Sequence, residues 1–201
     1  MTAIVTSFDE QDIPSSHVRI DGSMQFWAGL SYGSASLVNY LILTGQIHLP
    51  PPMIGMVWMG ASAVFILFGI VLKVGTPRAL LTDPAFRRFR AIWVSLLLGA
   101  AFLIAALIIM MLKFQLGANI AFVVSPIAMS VYGIGWRVAA VTSGQRWLHL
   151  LSFGSFACAL CLAALAGSPN QSLVYSLGLV VFAIIPGLML LLRRPATAYA
   201  G

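Results

Sequence analysis

The sequence predicts an all-α fold: a polytopic membrane protein of six transmembrane helices with both termini in the cytoplasm. Three observations carry this. First, six stretches of about 20 residues are apolar and hold no Asp, Glu or Arg. At ~1.5 Å rise per residue, each spans the ~30 Å hydrocarbon core of a bilayer. Second, 60% of the 201 residues are hydrophobic and 8% charged, whereas about a quarter are charged in a soluble domain. Strand-like alternation is missing, which sets a β-barrel aside, and helices then satisfy the backbone in lipid. Third, the positive charges fall on one side. Arg19, Lys73, Arg78, Arg87, Arg88, Arg90, Arg137, Arg146, Arg193 and Arg194 flank one end of the predicted spans, and Lys113 alone flanks the other. Positive charge near span ends favours the cytoplasmic face. The net charge of +6 is read as topology and not as nucleic-acid binding.

Residues 1–22 form a polar tail in which Pro14, Ser15 and Ser16 break any helix. Its acidic Asp9, Glu10, Asp12 and Asp21 do not make the basic start of a signal peptide, and no small-residue cleavage site follows the first apolar stretch. That stretch, Met24 to Gly45, is therefore read as a retained helix. The second runs from Met53 to Leu72, and Pro50, Pro51 and Pro52 predict an extended approach to it. The third covers Ala91 to Leu112. Asp83 and Pro84 read as N-cap and first helical residue, so this helix starts below the membrane and carries Arg87, Arg88 and Arg90. The fourth is Leu116 to Trp136, the fifth Leu148 to Gly167, and the sixth Ser172 to Leu192, which Ser168 and Pro169 open. Pro126 and Pro186 lie inside the fourth and sixth spans and predict bends there. One membrane domain, 23–194, is followed by a short tail, 195–201. The outer connections are too short for an external domain. Trp27, Trp93, Trp136 and Trp147 fall at the predicted inner boundary, where amphipathic rings prefer to lie. A faint repeat pairs Trp27, Trp93 and Trp147 with Gly33, Gly99 and Gly154, in the manner of three two-helix hairpins or of interface tryptophans and packing glycines.

Several patterns bear on function. Small residues at helical spacing, Gly29 with Gly33 and Ser155, Ala159, Ala163 with Gly167, let helices approach closely. They pack either within the chain or against a second copy. Cys158 and Cys161 are three apart on one helix, which is poor geometry for a bridge, and no second pair exists to relay oxidation; they read as small packing residues. Met53, Met56, Met59, Met110 and Met111, with His48 and Cys161, gather soft donors at one predicted depth. Such donors select Cu(I), although methionine also fills gaps in apolar cores. His48 and His149 fall at opposite faces and cannot share a cofactor, so no cofactor or resident metal is expected. Arg87, Arg88 and Arg90 suit anionic lipid headgroups or simply orient the third span. Asn39, Tyr40, Asn119 and Tyr175 map to the outer half of their spans, either bonding between helices or lining a small cavity.

All five acidic residues lie at or before Asp83, outside every span. Proton-coupled carriers, intramembrane aspartyl proteases and phosphotransferases holding a divalent cation all need carboxylates or equivalent groups among the helices. None is supported, and no enzyme is expected.

The segment Gly22-Ser-Met-Gln-Phe-Trp27-Ala-Gly-Leu30, the run Ser143-Gly-Gln-Arg-Trp147 and the third-helix start Ala91-Ile-Trp93 resemble those of small six-helix inner-membrane proteins of proteobacteria. The similarity covers about Arg19 to Arg194. It implies a bacterial inner (cytoplasmic) membrane location and brings no activity or site residues.

The expected function is thus non-enzymatic: an accessory or assembly protein acting through helix contacts, as a homo-oligomer or with another membrane protein, in a bilayer with anionic headgroups at its cytoplasmic face. The alternative is a passive channel or carrier for a small neutral solute or lipid, its path shaped by Asn39, Asn119, Tyr132, Pro126 and Pro186. Cu(I) handling is a third reading.

Overall fold

The computed structural model describes residues 22–75, 84–114 and 121–192, and these are helical, with no strand among them. The helices are α1 (Ser23–Leu43), α2 (Pro51–Gly75), α3 (Pro84–Phe114), α4 (Ala121–Ser143), α5 (Trp147–Ala164) and α6 (Asn170–Leu192). Inside α6 a π-helical segment, Val180–Ile184, interrupts the α-helix. The tail before Gly22, Asp83, Asn119 and residues 193–201 lie outside the described residues. So do the side chains of Arg88 and Met111.

Five helices, α2 to α6, are long and apolar enough to cross a membrane. α1 is not in that set. It is 21 residues long but carries Gln25, Ser31, Ser34, Ser36 and Asn39. Gln25, Ser31 and Ser36 are buried, so this helix hides its polar side within the protein. In lipid, an inward polar face is the stable arrangement.

Helix ends follow local chemistry. Gly45 adopts φ +75. The Gly45 N–H donates to Ile42 O (3.0 Å) and the Gln46 N–H to Leu41 O (2.9 Å). This pairing closes α1 in a Schellman turn, which needs a left-handed residue. Pro51 and Pro52 form the first turn of α2 instead of an extended approach, because a first-turn N–H has no acceptor within the helix and proline loses nothing there by lacking it. α4 runs seven residues past Trp136 and takes in Arg137; it stops at Ser143, where Gly144 turns the chain at φ +69. α5 ends at Ala164, and Gly167, at φ +86, belongs to the following turn. There the Ser168 hydroxyl accepts the Asn170 N–H at 3.3 Å, the capping role its sequence position suggests.

The helices divide into two kinds. α1, α4, α5 and α6 form the centre: α4 lies along α5, and α6 touches α1, α4 and α5. α2 has its one extended interface with α1, and α3 has its one with α4, among the described residues. Ring contacts hold α2 in place. Trp27 stacks on Phe68 at 3.7 Å and Tyr32 meets Phe65 at 5.7 Å. The core has two parts. Trp93, Trp136, Ala139, Ala140, Leu148 and Leu190 form one, and Met129, Ala159, Leu162, Tyr175, Leu179 and Ala183 the other.

Trp93 and Trp136 depart from the interfacial belt the sequence suggests. Trp136 is wholly buried and Trp93 nearly so, meeting edge to face at 6.3 Å. Gly135 makes this possible, since the Trp93 indole occupies the place a Cβ would take. The hairpin repeat has no shared environment either. A Cβ on Gly33 would touch Leu179, one on Gly154 would meet Phe182, and Gly99 faces open space.

Two prolines set the register of the bundle. Proline lacks an N–H, so the carbonyl four residues earlier loses its helical donor. For Pro186 that carbonyl is Phe182, and the Trp136 Nε1–H donates to it at 2.8 Å. For Pro126 it is Phe122, and Gln171 Nε2 donates to it at 2.6 Å while also reaching Leu162 O at 3.1 Å. Each proline thus leaves a polar group that a side chain from another helix satisfies, as lipid demands. Both bonds join α4 and α6. Trp136→Phe is expected to lower stability in detergent by about 1–3 kcal/mol, the cost of an unsatisfied buried carbonyl. The loss should shrink in a Pro186→Ala background, where the backbone supplies a donor. Reversible unfolding of the four proteins, followed by circular dichroism, measures the coupling; strict additivity would contradict the assignment.

Candidate functional site

A cavity of about 650 Å³ lies between α1, α2, α3, α4 and α6. That falls within the ~300–1,000 Å³ of small-molecule sites. One stripe of α1 lines it with Gln25, Ala28, Tyr32, Ser36 and Asn39. Their spacing of three and four keeps them on one helix face. Gln25 and Asn39 are fourteen positions apart, so the cavity extends ~21 Å along the helix at ~1.5 Å per residue. α2 contributes Trp58, Ser62 and Phe65, and α3 contributes Trp93, Leu97, Ala100 and Ile104. These two walls face each other without an extended interface, which leaves that side of the cavity open towards the surrounding medium.

None of the described lining residues is Asp, Glu, Lys, Arg or His. Polar groups are present, and several of them are bonded to one another or to the backbone. Near the start of α6, Asn39 Nδ2 donates to Ser172 Oγ at 2.9 Å and the Ser36 hydroxyl donates to Ser172 O at 2.8 Å. Gln171 is spent on the two carbonyls already described. Midway, the Tyr32 hydroxyl lies 3.5 Å from Ser62 Oγ. At the other end Gln25 is 3% exposed, and its Oε1 has no hydrogen-bond partner among the described residues. The arrangement offers an apolar trough with uncharged polar groups at intervals. It brings together no nucleophile with a base, and it presents no charge to stabilise an ion.

The sequence-derived candidates distribute as follows. Asn39 and Tyr175 line the cavity, as does Tyr132; Tyr40 does not. Gly29 rests against Ala183 and Ile184 of α6, and Gly33 against Leu179. Ser155 and Ala159 are buried, whereas Ala163 and Gly167 are exposed. Cys158 is half-buried against Gly178, Cys161 is exposed, and both are free thiols. Met53, Met56 and Met59 are exposed on α2, and Met110 on α3. Cys161 is on α5, and these three helices share no extended interface among the described residues. His48 is exposed. His149 accepts from Arg137 across 2.8 Å, and the Arg137 guanidinium lies 5.9 Å over Phe153. Arg87 and Arg90 are exposed near the start of α3.

Gln25, Tyr32, Ser36, Ser62, Gln171 and Ser172 belong to the site and escape the sequence reading. A signal existed in α1: Gln25, Tyr32, Ser36 and Asn39 form a polar stripe at helical spacing. Nothing in the sequence tells that stripe from one that bonds another helix. No family model, curated protein or solved structure matches this chain.

Trp58 and Trp93 both face the cavity, so an occupant should be visible to them. A brominated hydrocarbon such as 9,10-dibromostearyl alcohol is expected to quench tryptophan emission saturably. Ala128→Phe, which places a ring in the lining, should weaken that quenching several-fold and leave the helical circular dichroism unchanged. Equal quenching of both proteins would mean that the cavity does not take the probe.

Proposed function

We propose that this chain is a non-enzymatic, six-span protein of the bacterial cytoplasmic membrane, both ends cytoplasmic, that binds and carries a small neutral lipid-soluble molecule. The carrying observation is the cavity of about 650 Å³, uncharged in its described lining and walled by α2 and α3, which share no extended interface among the described residues. A molecule dissolved in the bilayer reaches such a cavity sideways and need not enter water. The absence of charge from the described lining suits a neutral occupant, because an unpaired charge there would be costly.

The topology draws support from contacts as well as from charge. Gly22, at the start of α1, lies against Gly187 and Leu190 near the end of α6. The two ends of the described chain therefore meet at one end of the bundle, as an even number of crossings requires. α1 makes the sixth crossing on this reading, its polar residues turned from lipid. Labelling tests this. With Cys158 and Cys161 replaced by Ala, Ser7→Cys and Thr197→Cys should react only with a membrane-permeant maleimide in intact cells. Gln46→Cys should react with an impermeant one. Reaction of either terminal cysteine with the impermeant reagent would refute the six-span arrangement.

One observation favours the assembly reading beside this. None of the residues in the α2 span Met53–Leu72 is buried, and Met56, Met59, Ile66, Leu67 and Ile70 are well exposed. Lipid or a partner helix covers that face equally well. Native mass spectrometry from mild detergent distinguishes them: a defined oligomer or co-purifying subunit supports assembly, and a monomer with bound small lipid supports the carrier.

A further inference from the structure

Arg137 carries a charge that the described helices do not cancel. It lies within the apolar span of α4, Phe122–Ser143, close to its end. It is exposed, and so are Ile134 and Val141, which share its helix face at spacings of three and four. That face looks away from the cavity, which neither Arg137, His149 nor Phe153 lines. A cation among apolar, lipid-facing residues is costly unless an anion meets it. The described residues include no Asp or Glu, so none of them supplies one.

α5 supplies orientation instead. A guanidinium has donors only, so His149 Nδ1 accepts from Arg137 Nη1 across 2.8 Å. An imidazole accepting at that nitrogen holds the side chain and leaves its positive charge whole. The Phe153 ring lies 5.9 Å away and steadies the same group. The guanidinium is thus fixed against the first two turns of α5, with most of its N–H donors left for another acceptor. Arg146 adds a second exposed cation. Its backbone is helical (φ −59, ψ −34) directly before α5, so Arg146, His149 and Phe153, spaced three and four apart, share one helix face. Trp136, next to Arg137, packs in one cluster with Leu190, against which Gly22 also lies. The pair of arginines therefore sits at the end of the bundle where the two ends of the described chain meet.

We infer that Arg137 and Arg146 hold the phosphodiester of an anionic phospholipid, with one of its acyl chains lying along Phe153 and Leu150. A planar guanidinium meets two phosphate oxygens at once, which suits it to this group better than a point charge. The depth agrees: the first turns of a spanning helix lie where lipid phosphates meet the acyl chains. Phe153 and Leu150 are 64% and 74% exposed and offer the chain an apolar path. A zwitterionic headgroup is a poorer occupant, because its cation would stand beside a second arginine with no described carboxylate to receive it.

The test uses the full chain in nanodiscs of equimolar phosphatidylglycerol and phosphatidylcholine with identical acyl chains. Native mass spectrometry of the released protein counts each lipid retained. Phosphatidylglycerol is expected to be retained about fivefold over phosphatidylcholine, the factor one cation near the surface contributes. Arg137→Gln should bring the two lipids level. Lys113→Gln removes an equal charge near the end of α3 and should leave the preference intact. Equal retention on the native chain overturns the site, as does a preference that survives Arg137→Gln. An equal loss in Lys113→Gln assigns the effect to net charge and overturns it too. Oleate displacing phosphatidylglycerol at equal concentration overturns the phosphodiester assignment, and a polypeptide retained in place of lipid overturns the lipid one. Photocrosslinking on the native chain covers the case in which Arg137→Gln fails to fold. Phosphatidylglycerol with a diazirine near the top of one acyl chain should label Leu150 or Phe153, and labelling confined to α2 and α3 overturns the placement. None of these substitutions touches the cavity, so the carrier reading stands or falls separately on the tryptophan quenching.

Discussion

A membrane interior has no water to offer a backbone group that loses its partner, and this constraint organises the bundle. Pro126 and Pro186 each strip a donor from a helix. The freed carbonyls of Phe122 and Phe182 are met by Gln171 and Trp136. Both bonds run between α4 and α6, and α5 and α1 fill in around that pair. Small residues complete the fit. A Cβ on Gly187 would come within 2.9 Å of Phe26 backbone atoms, and Gly29 lies against Ala183 and Ile184. α6 and α1 can therefore approach backbone to backbone, and van der Waals contact at that distance is what joins helices in lipid. The π segment at Val180–Ile184 ends two residues before Pro186, in the stretch where the hydrogen-bond ladder has to be rearranged.

The same constraint explains why the cavity is where it is. Rings hold α2 to α1, and the Trp93 indole seats α3 over Gly135. Two helices attached at their separate inner edges leave a slot between them. α1 contributes to both regions at once. Its glycines face α6, and its polar stripe faces the slot. Its serines, glycines, Gln25 and Asn39 dilute its apolar residues, which is why α1 is not among the helices apolar enough to span a membrane.

Much of the fold is legible in the sequence, and the limits have physical causes. Apolar length alone finds six helical stretches, because the bilayer imposes a length and forbids other backbone states. Their ends are less legible. Arg137 belongs to α4, although a charged residue suggests the edge of a span, because its long side chain reaches His149 and the Phe153 ring beside it. Trp136 reads as an interface ring from its position, yet it is wholly buried. What placed it there is Pro186, fifty residues away in sequence, and no local pattern links the two. The site is half legible for a similar reason. Asn39 and Tyr175 declare themselves as polar groups inside spans. Gln25 looks like part of the helix start, and Gln171 like a loop residue, until tertiary packing shows what surrounds them. Soft donors grouped by predicted depth, Met56 and Met110 among them, lie on helices that share no extended interface among the described residues, because equal depth does not mean equal azimuth around the bundle.

The uncharged lining of the slot has an energetic corollary. An electric field across a membrane does work only on charge that moves through it. Neither the described walls nor a neutral occupant offers any, so filling and emptying would be blind to voltage and to the proton gradient. On the proposed carrier reading, the direction of net transfer would follow the concentration of the occupant in each leaflet alone, and an energised cell could bias it only by making or consuming that molecule on one side.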